Sequence, residues 1–376
     1  VIALFNRSDV PQTVKLKRLN GIDFAGIALE ERLWYEKETE RFRFEERRFA
    51  PRPTEFTLQP RELRKYTTVS GDKIRSSVKD ATITLNKNRP INESDINKVI
   101  EKGINKINVE GCELIHCLPT NYRLNFGEEI KDPRNIFGEN LSVDIMLGLV
   151  PDMIYRNLAT VIENAHLEIV GKAFSAYASG LACLVDDEKE IGATVVDIGG
   201  GMTSIASFRH GFPVYFSSIP VGGNNVTNDI AFGLTTSFAH AERLKTLHGC
   251  AFLTRKDSEE TINVYPVGEE DDSSIKQITK AELISIITPR IEEIFELVNQ
   301  KLEEQGLKDI SSHRVVLTGG GSQLSGIREV ATMVLDKQVR IGRPKNISNL
   351  PEILYNPAYS TCIGLLLFAL DYTERK

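Results

Sequence analysis

Apolar residues recur along this chain with two different periods, and from about residue 80 onward the period switches repeatedly. Residues 79–85 alternate polar and β-branched positions, the pattern of a half-buried strand. In 91–103, Ile96, Val99 and Ile100 fall at helical spacing behind a cap at Asn92 or Ser94, and Gly103 stops the run. Strands are predicted at 112–119, 122–126 and 141–150, with a helix at 154–166. Residues 192–198 are almost uniformly apolar, as in a strand covered on both faces, and 203–208 with 213–219 complete a meander. A helix over 279–304 places Leu283, Ile287, Ile291, Ile294, Val298 and Leu302 on one stripe and ends at Gly306. Residues 314–318 form a further buried strand that runs into a glycine turn and another helix. This alternation predicts an α/β fold. Residues 1–5 read as a strand, whereas the charge run 36–52 supports no element, and the acidic stretch 255–276 predicts a solvated loop.

Composition narrows the class. The chain has 376 residues, 41% apolar and 26% charged, with a formal net charge of −6. That excludes disorder and suits two or more domains. The longest apolar run, 362–370, is far short of the roughly 20 residues that cross a bilayer. No basic stripe marks a nucleic-acid surface. Five cysteines, odd in number and without a CxxC pair, predict reduced thiols of a cytoplasmic protein. Cys112, His116 and Cys117 read as strand packing in preference to a metal site.

Three glycine-rich turns carry the candidate chemistry. The first holds Asp197, Gly199, Gly200, Gly201, Met202 and Thr203. Its backbone N–H groups suit an anion, its aspartate suits a hydrated magnesium ion, and Thr203 offers a hydroxyl; the alternative is a plain hairpin. The second, Gly222 and Gly223, opens a helix over 226–233, either as an anion site or under an ordinary cap by Asn224 or Asn225. The third, Gly319, Gly320, Gly321 and Ser322, would let a flat ligand approach the backbone, and it is neither a Walker A loop nor a GxGxxG fingerprint. Glu242 and Lys245, at i and i+3 on one helical face, are either a solvated ion pair or a clasp for a nucleoside.

In this order the four features resemble the second lobe of the actin-like ATPases. The stretches YASGLACLVDDEKEIGATVVDIGGG, IPVGGNNVTNDIAFGLTTSFAHAERLKTLHGCA and VVLTGGGSQLSGIREVA resemble the FtsA family of bacterial cell-division proteins, most of all its alphaproteobacterial branch. So do the closing NPAYSTCIGLLLFAL and the segment 73–149, which looks like the subdomain FtsA carries in place of actin's outer one. The resemblance implies two ribonuclease-H-like lobes around a nucleotide cleft. Residues 1–70 would be an incomplete start of the first lobe, 71–149 the insertion, and 150–190 with 351–376 the rest of that lobe. Residues 191–225 and 312–350 would be the base of the second lobe, and 226–311 its outer subdomain. ATP and Mg2+ are the implied cofactors, with weak or absent hydrolysis. Asp197 would hold magnesium through water, and Gly199, Gly200, Gly201, Met202, Thr203, Gly222 and Gly223 would surround the phosphates. Glu242 and Lys245 would clasp the nucleoside, with Gly319, Gly320, Gly321 and Ser322 behind it. The implied partners are the C-terminal tail of FtsZ, met by Arg290 and Lys301, further copies of the chain in a filament, and later divisome proteins through the insertion. The implied place is the cytoplasmic face of the inner membrane at the septum. Rival readings are a sugar kinase or chaperone ATPase, and the pilus-assembly relative PilM; VTNDIA and AERLKTLHG favour FtsA.

The chain also departs from the family pattern. No Asp-x-Gly-Ser/Thr hairpin stands before residue 70, and residues 1–5 resemble the strand that follows it, so the native chain is expected to begin earlier. Met202 replaces a threonine, and Ser175 and Ala176 stand in the 171–180 stretch where relatives place a glutamate. The chain stops at Lys376, before any amphipathic membrane helix, so this polypeptide is not expected to bind membrane by itself.

Overall fold

The computed structural model describes residues 66–370 except 106–109, 126, 131, 166, 168, 254–258, 269–274, 308–313 and 346–350, together with the backbone of short strands before residue 66 and of the last helix to Glu374. The first lobe opens with β1 (Ile2–Phe5) and β2 (Arg64–Val69). The chain then leaves for an inserted subdomain of β3 (Arg75–Thr84), α1 (Glu93–Ile104), β4 (Cys112–Leu124), β5 (Glu128–Ile130) and β6 (Asn140–Pro151). It returns through α2 (Asp152–Asn164) to β7 (Gly171–Phe174) and α3 (Ser175–Cys183). Because β1 and β7 both pair with β2, the excursion starts and ends on one sheet.

The insertion is a sheet in the order β3-β6-β4-β5 with α1 packed on it. Asn92 caps α1 in a reciprocal box with Asp95, and Arg89 grips that aspartate at 2.6 and 2.7 Å. The helix runs one residue past Gly103 and ends at Asn105. The break expected between 119 and 122 is no strand end. The register slips opposite Asp144 and Ile145, so Thr120 bulges out and bonds Asp144 O at 3.2 Å while β4 continues.

The second lobe contains β8 (Ala193–Ile198), β9 (Thr203–Arg209), β10 (Phe212–Ile219), α4 (Gly223–Gly233), α5 (Phe238–His248), β11 (Thr261–Val264), β12 (Lys276–Thr279), α6 (Lys280–Glu303), β13 (Arg314–Thr318), α7 (Ile327–Leu335) and β14 (Gln338–Ile341). Its sheet runs β10-β9-β8-β13-β14, which leaves the largely apolar β8 central and buried at every position. The six stripe residues of α6 all lie in the core. The expected loop over 255–276 contains a strand. Ile262 and Val264 face the core and Thr261 and Asn263 face solvent, a period-two signal too short to stand out among its polar neighbours. The acidic run at 269–272 lies outside the described residues. Finally α8 (Ser360–Glu374) crosses back and packs along α3.

Two contacts tie the insertion to both lobes. His116 of β4 is buried among Phe174, Tyr177, Phe216 and Phe368, and its Nε2 accepts the Phe174 N–H at 2.9 Å. At the other end Ser76 Oγ bonds both the O and the N of Phe216, at 3.0 and 3.2 Å, and Ser218 Oγ donates to Gly71 O.

Burial pushes the His116 pKa down to about 3, so the folded chain keeps the imidazole neutral. Unfolding raises that pKa to its ordinary ~6.5, so this contribution is complete above that pH and shrinks as pH falls toward 3, by at most about 1.4 kcal/mol per pH unit. His116→Gln keeps an acceptor without the titration. Urea titrations between pH 4 and 7 are expected to give a shallower loss of stability for the variant, and parallel curves would remove His116 from the acid limb.

Candidate functional site

The three glycine turns meet at the ends of β8 and β13. After Ile198 the chain reverses tightly, with Gly199 N–H donating to Met202 O at 2.9 Å. The start of α4 docks directly onto this hairpin: Gly223 N–H donates to Gly199 O at 2.9 Å and Asn224 N–H to Gly200 O at 2.7 Å. In a trans peptide the C=O and the following N–H point in opposite directions. The N–H groups of Gly200 and Gly201 therefore point away from α4. Together with the Met202 N–H they have no partner among the described residues. Three adjacent donors at a turn form an anion-binding concavity.

This geometry reverses one expectation. The first donors of α4 are already engaged, since Gly222 N–H bonds Asn225 Oδ1 at 3.0 Å and the next two meet the hairpin. The N-cap is Gly222, not Asn224 or Asn225. Gly222 and Gly223 thus shape the cradle and donate nothing to a ligand. A Cβ on Gly222 would lie 2.6 Å from both Gly199 O and Gly200 O, so the contact needs a glycine. Thr203 is also redirected, its hydroxyl donating to Val221 O at 2.8 Å and pinning the two turns together.

In the third turn Gly319 has φ +83°, and a Cβ there would run into Asp197 Oδ1 and Ile198 O. Ser322 Oγ closes the turn onto Gly319 O at 2.7 Å. Gly320 faces open space.

Asp197 is 6% exposed, and its Oδ2 accepts from Ser179 Oγ at 2.6 Å and Thr361 Oγ1 at 2.8 Å. These hydroxyls belong to α3 and α8, so the carboxylate joins the second lobe to the first. Burial pushes its pKa up, and the two hydroxyls only partly offset that. A hydrated magnesium ion needs an outward-facing oxygen. Asp197 Oδ2 is taken by the two hydroxyls, whereas Oδ1 bonds nothing among the described residues and is the oxygen left for a metal-bound water.

On α5, Glu242 and Lys245 form the expected pair at 2.6 Å. Neither is simply solvated: Lys245 Nζ also bonds Thr227 Oγ1 at 2.7 Å and Gly223 O at 3.0 Å. Burial works to raise the Glu242 pKa, but hydrogen bonds from Lys245 and Thr227 outweigh it and hold the carboxyl below its ordinary value. Arg290, expected at the FtsZ contact, is engaged with Asp229 at 2.6 and 2.9 Å and with Glu293. Lys301 pairs with Glu304 at 2.9 Å on a partly exposed face. The sequence reading missed Ser179, Thr227 and Thr361; for Thr227 the signal is its i+4 spacing from Gly223.

A family model described as cell division protein FtsA matches residues 194–364, and one described as the SHS2 domain inserted in FTSA matches 71–147. The cell division protein FtsA of Agrobacterium fabrum is 38% identical over 300 residues, 80% of this chain and 68% of that protein. The chain belongs to the FtsA family. Its Escherichia coli member is 32% identical over 313 residues, covering 81% of this chain and 74% of the relative. The PilM–PilN type IV pilus biogenesis complex superposes with a TM-score of 0.52 at 18% identity, over 81% of this chain and 79% of that one. That likeness is one of fold. The SHS2 match covers the very insertion that a sugar kinase would lack.

Two substitutions separate packing glycines from open ones. Gly222→Ala forces the helix off the hairpin and is expected to lower stability by roughly 1–3 kcal/mol. Gly320→Ala meets nothing within 4 Å and is expected to change it by less than about 0.5 kcal/mol. Equal losses in denaturant titrations would contradict this division.

Proposed function

We propose that this FtsA-family chain binds ATP between its lobes, assembles into actin-like filaments and forms part of the link between the tail of FtsZ and the inner membrane at the division site. One observation supports nucleotide binding above the rest: three unpartnered N–H groups, of Gly200, Gly201 and Met202, lie one hydrogen-bonded relay from Glu242. The donors would receive terminal phosphate oxygens, and Glu242 Oε1, which bonds nothing among the described residues, would accept a ribose hydroxyl. The open side of Gly320 leaves room for the adenosine. ATP supplies a transferable phosphoryl group, but binding with weak or absent hydrolysis is the reading. Magnesium would enter with the nucleotide, and Asp197 Oδ1 would accept from one of its waters.

Titration calorimetry tests this directly. The chain is expected to bind ATP saturably, and Gly320→Val to weaken it at least about tenfold with an unchanged melting temperature. No saturable binding by the unmodified chain would overturn the nucleotide reading.

The FtsZ contact is proposed on 226–311, with Lys301 in preference to the engaged Arg290. Exposed pairs are weak, so Lys301→Glu is expected to reduce affinity for an acidic tail peptide about two- to fivefold at low salt. Fluorescence anisotropy reads this, and the difference is expected to close at 0.5–1 M salt, where screening reaches over only ~3–4 Å. Unchanged low-salt affinity would move the contact off α6.

A further inference from the structure

Thr227 lies on α4, one turn after Gly223, and its side chain is fully buried. Its hydroxyl sits 2.5 Å from Glu242 Oε2, 2.7 Å from Lys245 Nζ and 3.1 Å from Gly223 O. A hydroxyl has one proton to donate. The short contact to an ionised carboxylate takes it, because charge-assisted bonds are the stronger ones. The oxygen then remains an acceptor for Lys245. An ammonium has three N–H groups, and Lys245 has three acceptors: Glu242 Oε2, Thr227 Oγ1 and Gly223 O. It has no donor left for a ligand. Glu242 in turn has one oxygen held twice and the other, Oε1, unpartnered among the described residues.

We infer that Thr227 is a positioning residue that sets nucleoside recognition: it fixes Glu242 so that Oε1 alone reads a ribose hydroxyl, and it turns Lys245 from a ligand contact into a brace. The brace reaches the phosphates. Lys245 holds the carbonyl of Gly223, whose N–H holds Gly199 O of the hairpin. Ribose and phosphate recognition are therefore joined through Lys245, with the buried Thr227 hydroxyl bonded to both Lys245 and Glu242. This inference rests on the proposed nucleotide reading, and it names which group makes that site selective for ribose.

The test compares ATP with 2′-deoxyATP, by calorimetry, on the full chain and on two variants. Thr227→Val keeps shape but removes both the donor and the acceptor; Thr227→Ser keeps the hydroxyl. The unmodified chain is expected to favour ATP over 2′-deoxyATP about tenfold, because the deoxy sugar offers Glu242 Oε1 no 2′-hydroxyl to accept from. In Thr227→Val that preference is expected to fall below about twofold, since the carboxylate is no longer held in one orientation, and Thr227→Ser is expected to restore it. A merely structural role would weaken both nucleotides alike and leave the ratio untouched. An unchanged ratio in Thr227→Val, or a ratio lost equally in Thr227→Ser, overturns the inference while leaving ATP binding intact. Failure of the unmodified chain to bind either nucleotide overturns the site reading itself, and the inference with it.

Discussion

Two backbone hydrogen bonds, from Gly223 to Gly199 and from Asn224 to Gly200, determine how the candidate site is built. They fasten a helix start to a hairpin tip so closely that no side chain fits at Gly222. They also fix which way each peptide unit faces. With the hairpin carbonyls turned toward α4, the N–H groups of the same units must face the opposite way, and the anion-receiving surface moves from the helix to the hairpin. The helix dipole still contributes a favourable field near its N-terminus, but the directed donors belong to residues 200–202. Thr203 and Lys245 reinforce this arrangement from two sides, one through Val221 O and the other through Gly223 O.

Much of the fold was legible because its signals are local. The largely apolar run of β8, the six-residue stripe of α6 and the order of the glycine turns need no knowledge of distant residues. The direction of a hydroxyl or carboxylate does. Asp197 turns toward Ser179 and Thr361, both far from it in sequence, and Arg290 is engaged by Asp229, sixty-one positions away. Such partners meet only once the elements that carry them have packed. A strand of four residues with two buried positions, as in β11, likewise carries too little pattern to be separated from the polar loop around it.

The two lobes are joined by polar groups inside a largely apolar seam. Ser179, Thr361 and Asp197 form one cluster, and Thr318 and Ser360 another, linked at 2.7 Å. Buried groups of this kind are tolerated when each has a partner, and they then favour one arrangement over near alternatives. His116 plays a comparable part for the insertion. A neutral imidazole accepts a backbone N–H that an apolar side chain would leave unpaired, while its ring fills the space among four aromatic neighbours.

The contact between Ser76 and Phe216 has a consequence for assembly. β10 is the outer strand of the second-lobe sheet, and an uncovered outer strand invites another chain to add itself by backbone pairing. Here a serine from the inserted subdomain occupies both backbone groups of Phe216, midway along that strand. Continuous strand addition is blocked at this edge. Contacts between subunits made at this edge would therefore run through side-chain surfaces, whose complementarity can be tuned residue by residue and released again, and not through the open-ended backbone ladder that makes amyloid so hard to dissolve.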